Sequence, residues 1–121
     1  MALLDVTPML TVPDVEASVA FYCDTLGFTC LNEMDDWATV SRDGIEVMFA
    51  HPNAHIPFER PHFTGSLYFR TDAADALWAE LKDKATVLYP IEDFVYGMRE
   101  FAVLDNNGYT LQFGQPIDTD D

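Results

Sequence analysis

Residues 12–28 read Val-Pro-Asp-Val-Glu-Ala-Ser-Val-Ala-Phe-Tyr-Cys-Asp-Thr-Leu-Gly-Phe, a helix with its start and stop signals in place. Asp14 follows Pro13 and has the short acceptor side chain of an N-cap. Val15, Val19, Tyr22 and Leu26 recur near helical spacing, with small Ala17, Ser18 and Ala20 between them. Gly27 supplies the stop. Before the helix, Thr7 to Val12 is a short β-prone run interrupted by Pro8, which suits a strand start or a sheet edge. After it, Phe28 to Leu31, Trp37 to Val40 and Ile45 to Phe49 read as strands. The last two join through Arg42-Asp43-Gly44, whose Asp-Gly pair permits a tight hairpin.

From His51 to Thr64 the periodicity stops. Pro52, Pro57 and Pro61 mark a loop. The same order of signals then returns. Leu67 to Thr71 is a strand, and Asp72 begins a helix carrying Ala76, Leu77, Ala79, Glu80 and Leu81. Thr86 to Tyr89 is a strand ended by Pro90. Phe94 to Leu104 contains a turn at Tyr96-Gly97 and then a strand. Asp105-Asn106-Asn107-Gly108 turns the chain into a last strand, Tyr109 to Gly114, and an acidic, frayed tail runs from Pro116 to Asp121. Asp14 and Asp72 correspond, as do Gly44 and Gly108, each glycine followed five residues later by Phe49 or Phe113. The expected fold is α+β in a single domain, 1–121: module one at about 5–50, a loop at 51–64, and module two at about 65–115. Each module is a βαβββ unit exposing an apolar sheet face that a neighbour must cover, and the pair should form a curved mixed sheet with a cavity.

Six Lys and Arg against 21 Asp and Glu give a formal charge of −15. Such a surface repels phosphate backbones and anionic lipids, so the reading is no nucleic acid and no membrane, while cations are attracted. Cys23 and Cys30 have no zinc-like spacing and read as free thiols in a reducing compartment. No secretory or membrane-spanning pattern is present, which implies a cytoplasmic location.

Several of these segments carry a resemblance. Pro8-Met9-Leu10, Val12-Pro13-Asp14-Val15, Ser18, Ala20-Phe21-Tyr22 and Leu26-Gly27-Phe28 do so in the first half. Leu67-Tyr68-Phe69-Arg70 before Asp72, Arg99-Glu100-Phe101 and Asp105-Asn106-Asn107-Gly108-Tyr109 do so in the second. The chain resembles the vicinal oxygen chelate superfamily, the glyoxalase I, bleomycin-resistance and ring-cleaving dioxygenase group, and within it the single-domain bleomycin-resistance-like proteins. The resemblance implies a homodimer with ligand sites at the curved sheets. It also implies that the superfamily's metal-ligand positions fall on Thr7, Met48, Ser66 and Gln112, of which only Gln112 is an expected ligand type. Zinc, nickel, manganese or iron favours imidazole, carboxylate or thiolate, so the reading is no metal cofactor and no catalytic residue.

The candidate ligand-binding residues are Trp37, Glu46, Met48, Tyr68, Glu100, Tyr109, Gln112 and Phe113. Glu46 and Glu100 are acids inside apolar strands, each facing either solvent or a polar cavity. If Glu100 faces inward, Arg99 must face outward. Trp37, Tyr68, Tyr96, Tyr109 and Phe113 could line a ligand cleft or simply fill the core, and Trp78, on a helix, suits core or a subunit contact. His51, His55 and His62 all lie in the central loop and read as loop histidines. Arg70 and Arg99 suit structural ion pairs or an anionic group. Together these point to a metal-independent protein that binds and sequesters a small aromatic or cationic molecule. The alternative is a metal-dependent glyoxalase-like lyase or isomerase, or an extradiol-type dioxygenase.

Overall fold

The structure, a computed structural model, describes residues 2, 4–53, 58–63 and 65–117. His55, Thr64 and the tail from 118 lie outside the described residues. The chain divides into two compact units, Met1–Pro61 and His62–Asp121. The division falls inside the stretch read as a loop. Among the described residues no helix is long and apolar enough to cross a membrane.

Module one contains β1 (Met9–Thr11), α1 (Val15–Asp24), β2 (Thr29–Glu33), β3 (Trp37–Arg42) and β4 (Ile45–Ala50), with strand order β1-β4-β3-β2. β1 runs parallel to β4 and the other pairs are antiparallel. The expected cap forms: the Asp14 carboxylate accepts the Ala17 N–H at 3.0 Å. Val15, Val19 and Tyr22 of α1 and Ala38, Val40, Val47 and Phe49 of the sheet are buried together as the core, and Tyr22 meets Phe49 edge-on at 4.8 Å. Arg42 donates to the Leu26 carbonyl at 2.6 Å, supplying the positive partner that the end of α1 otherwise lacks. Asp43 and Gly44 both take positive φ, 53° and 81°, as a two-residue hairpin turn demands.

Module two repeats this topology. It contains β5 (Leu67–Arg70), α2 (Ala74–Leu81), β6 (Thr86–Phe94), β7 (Met98–Leu104) and β8 (Thr110–Pro116), in the order β5-β8-β7-β6 with β5 parallel to β8. Its core is an aromatic stack. Phe113 lies between Phe69 (5.1 Å) and Phe101 (5.2 Å), and Trp78 of α2 tilts onto Phe101 at 5.3 Å. Trp78 therefore packs on the core of its own module while staying half-buried.

Two local expectations are corrected. Asp72 does not open α2; the N-cap position is Ala73, whose side chain can make no capping bond. The cap comes from β8, where Gln115 Oε1 accepts the Ala74 N–H at 2.9 Å while its Nε2 donates to the Asp72 carbonyl at 3.0 Å. Nor does Pro90 end β6, which continues to Phe94. β6 is an edge strand, so the N–H that proline lacks would have no ladder partner on the open side, and register shifts flank Tyr89.

Loss of the long-range cap should resemble loss of a local one. Gln115→Ala and Asp14→Ala should each lower the unfolding free energy by about 1 kcal/mol, measured by urea denaturation.

Candidate functional site

Along β7 the side chains alternate, and Phe101 and Val103 point into the aromatic core under α2. Glu100 and Ala102 therefore point to the opposite, open face of the sheet. Glu100 is nevertheless only 1% exposed, because side chains from the neighbouring strands close over it. The Tyr68 hydroxyl, from β5, donates to Glu100 Oε1 at 2.7 Å. The Tyr89 hydroxyl, from β6, donates to Oε2. Gln112 of β8 donates through Nε2 to the Tyr89 oxygen at 2.9 Å and, more weakly, to Glu100 Oε2 at 3.4 Å. Ser66 donates to Gln112 Oε1, and Tyr96, from the β6–β7 turn, adds a further phenol beside Glu100.

Tyr68 is two strands away from Glu100, and it crosses β8 at Gly114. A Cβ at residue 114 would lie 2.1 Å from the Tyr68 hydroxyl oxygen and 2.8 Å from Cζ. A residue with no side chain is what lets the phenol lie flat over the strand.

Burial disfavours the charged carboxylate, but the donors Tyr89, Tyr68, Tyr96 and Gln112 together outweigh it and hold Glu100 below the ordinary glutamate value. The phenols respond in the opposite sense. Desolvation first, then the bond to a charged acceptor, pushes Tyr89 and Tyr96 up to about 12 and Tyr68 higher still. Tyr96 stacks on Phe94 at 5.5 Å and 14°, and Phe94 meets Tyr89 edge-on at 5.5 Å. Tyr68 and Tyr96 remain 43% and 59% exposed, so the buried carboxylate has an exposed aromatic rim.

Of the candidate residues, Tyr68, Glu100 and Gln112 come together here. Phe113 does not: it faces α2 in the core, opposite to Gln112. Tyr109 is buried at the start of β8, edge-on to Phe63 at 6.3 Å, its hydroxyl pushed up by burial and by Asp105. Trp37, Glu46 and Met48 share the open face of the other sheet, through the pairs Trp37–Ala50, Thr39–Met48 and Ser41–Glu46. On that face the Thr39 hydroxyl is buried with no hydrogen-bond partner among the described residues. The strand registers make Met9, Trp37, Met48 and Ala50 the counterparts of Tyr68, Glu100, Gln112 and Gly114. The two modules thus share a scaffold and differ in chemistry.

Tyr89, on a strand in the sequence pattern but not among the candidate residues, joins the site because β6 pairs with β7. Arg99 points away from Glu100, as alternation requires, and is bound by Asp75 at 2.9 Å and Asp93 at 3.0 Å. His51 is exposed, with Nδ1 3.1 Å from the Pro52 carbonyl. A separate acidic groove of about 440 Å³ in module one is lined by Asp14, Glu16, Glu33, Asp35, Met34 and His51, among others.

The superfamily's metal-ligand positions do not fit a divalent ion. Ser66 and Gln112 are hydrogen-bonded to each other, and Thr7 and Met48 offer only a hydroxyl and a thioether. The oxygens of the nearby carboxylate, Glu100, are occupied by phenols. Among the described residues no three His, Cys, Asp or Glu side chains form a cluster that could hold a metal.

Residues 5–113 match the family described as the Glyoxalase/Bleomycin resistance protein/Dioxygenase superfamily. The chain is 27% identical over 131 aligned positions to a bleomycin resistance protein of Geobacillus stearothermophilus, covering 95% of this chain and 98% of that one. Two solved structures are similar over nearly the whole chain. One is the bleomycin-binding protein of bleomycin-producing Streptomyces verticillus complexed with copper(II)-bleomycin, with TM-score 0.74 and 28% identity, covering 93% of this chain and 96% of that one. The other is TnmS3, an antibiotic binding protein from Streptomyces sp. CB03234, with TM-score 0.76 and 26% identity, covering 96% and 98%.

The charge state of the network should be visible in stability. Glu100 ionises below 4.5 in the folded chain, so its contribution is present above that value and is lost as pH falls through the folded value. The phenols contribute fully below 10, and that contribution fades as pH rises toward about 12. Urea midpoints measured against pH should show an acid-side decline that Glu100→Gln flattens, by at most roughly 1.4 kcal/mol per pH unit. Gly114→Ala should destabilise by about 1–3 kcal/mol and return one tyrosine to ordinary titration in an ultraviolet tyrosinate measurement.

Proposed function

We propose that this chain, which belongs to the Glyoxalase/Bleomycin resistance protein/Dioxygenase superfamily, is a small-molecule-binding protein that captures an aromatic ligand one-for-one, with no metal. The observation that carries the reading is the exposed aromatic rim of Tyr68, Tyr96 and Phe94 over a buried, hydrogen-bonded carboxylate. Flat apolar surface beside a few fixed polar groups is the usual composition of a small-molecule site. Stacking on the rim contributes about 0.5–1.5 kcal/mol beyond area burial.

The names of the relatives support the reading, since a bleomycin resistance protein, a bleomycin-binding protein and an antibiotic binding protein are among them. Capture requires no bond to be made or broken, and the side chains at the superfamily's metal positions are poor ligands for a metal that would catalyse one. The working form is a homodimer in the cytoplasm.

A thermal-shift panel of aromatic antibiotics and metabolites, repeated after dialysis against EDTA, tests this. At least one compound should raise the melting temperature equally with and without chelation. A ligand at a hundred times its Kd adds about 2.7 kcal/mol. Tyr96→Ala should weaken that compound's binding by roughly three- to tenfold. Absence of any binder, or binding that vanishes on chelation and returns with zinc or iron, overturns the proposal.

A further inference from the structure

The hydroxyl hydrogens at the centre of the module-two network are spent inside it. Ser66 gives its proton to Gln112 Oε1. Tyr68 and Tyr89 give theirs to Glu100, and the Tyr96 phenol stands beside them. Gln112 Nε2 donates to Tyr89 and, more weakly, to Glu100, two acceptors on the same side of the amide. A phenol whose proton is committed can offer a ligand only its oxygen lone pairs and its ring face, and both are negative. The hydroxyls of Tyr68 and Tyr89 therefore accept and do not donate.

Its charge is also unbalanced. The hydrogen-bond partners of Glu100 among the described residues are two phenols and an amide, all neutral. The next residue, Arg99, faces the other way and is held by Asp75 and Asp93. A buried carboxylate ordinarily has a cation beside it. Here the protein supplies hydrogen bonds and leaves the charge in place.

We infer that the ligand of this site is a cation, an ammonium or a nitrogen-centred heteroaromatic cation, seated on the exposed faces of Tyr68 and Tyr96 as the counter-ion of Glu100. A cation within about 6 Å of a ring centroid is drawn to the ring quadrupole, and the carboxylate behind the rings adds a full charge that little water screens. An anionic ligand meets the same charge, with the Tyr68 and Tyr89 protons already committed to it, and is rejected. Tyr96 and Tyr68 thus set the ligand's charge class as well as giving it a surface to stack on. The inference rests on the small-molecule reading above and adds the sign of the charge.

Calorimetric titration with three probes of one shape tests it: N-methylquinolinium, neutral quinoline, and quinoline-2-carboxylate. Wild-type protein should bind the cation roughly tenfold more tightly than neutral quinoline, and the carboxylate less tightly than either. The preference should persist at about 0.5 M salt, where attraction to the acidic surface at large is screened. Glu100→Gln, with its fold checked by circular dichroism, should bring the cation to within about twofold of quinoline while quinoline affinity holds. Tyr96→Phe keeps the ring and removes one hydroxyl oxygen, and should narrow the preference for the cation over quinoline about threefold; it carries the test if Glu100→Gln does not fold. Equal binding of cation and quinoline to the wild type, a preference that salt abolishes, or a preference untouched by these substitutions overturns the charge assignment and leaves small-molecule binding intact. If no probe binds and the antibiotic panel is also silent, both readings fall together.

Discussion

A carboxylate placed in the middle of a sheet and kept charged constrains most of module two. Left alone, Glu100 would cost several kcal/mol of desolvation or would take up a proton. It is held by donors from β5, β6 and β8 and itself stands on β7, so every strand of the module contributes to one acid. That requirement accounts for local choices with no other evident reason. Residue 114 has no side chain because Tyr68 must cross there. Residue 97 is a glycine at φ 86°, in the turn that brings Tyr96 back toward Glu100.

The two modules show what the scaffold demands and what it leaves open. Both bury one sheet face against a helix, with Tyr22, Phe49 and Phe28 in the first and Phe69, Phe101 and Phe113 in the second. Those positions answer to packing and stay apolar. The opposite faces are free of that demand, and they have diverged. Trp37 stands where Glu100 stands and Met48 where Gln112 does, so one module presents mainly apolar groups and the other a polar network.

The helix, hairpin and repeat signals were legible in the chain because they are local: a cap, a period and a turn glycine lie within a few residues of what they govern. Alternation along β7 also placed Glu100 and Arg99 on opposite faces. Long-range devices were not legible. The cap of α2 arrives from Gln115, 41 positions on from the N–H it satisfies, and no window around Asp72 contains it. Nor is the reach of Tyr89 to Glu100 local: it depends on β6 pairing with β7 and on the register shifts that flank Tyr89. Phe113 was assigned to the ligand face although it lies one residue from Gln112, and adjacent strand residues cannot share a face.

The proline in β6 bears on how the folded chain meets copies of itself. A free strand edge is a template on which another chain can hydrogen-bond, and β6 has Leu88 and Val95 largely exposed along or just beyond it. Pro90 withholds one donor from that edge, and the register shifts around Tyr89 bend it out of the flat geometry that strand addition needs. The strand that delivers Tyr89 to the site is therefore also a poor seed for polymerisation, so an aromatic rim can stay open to solvent without inviting aggregation.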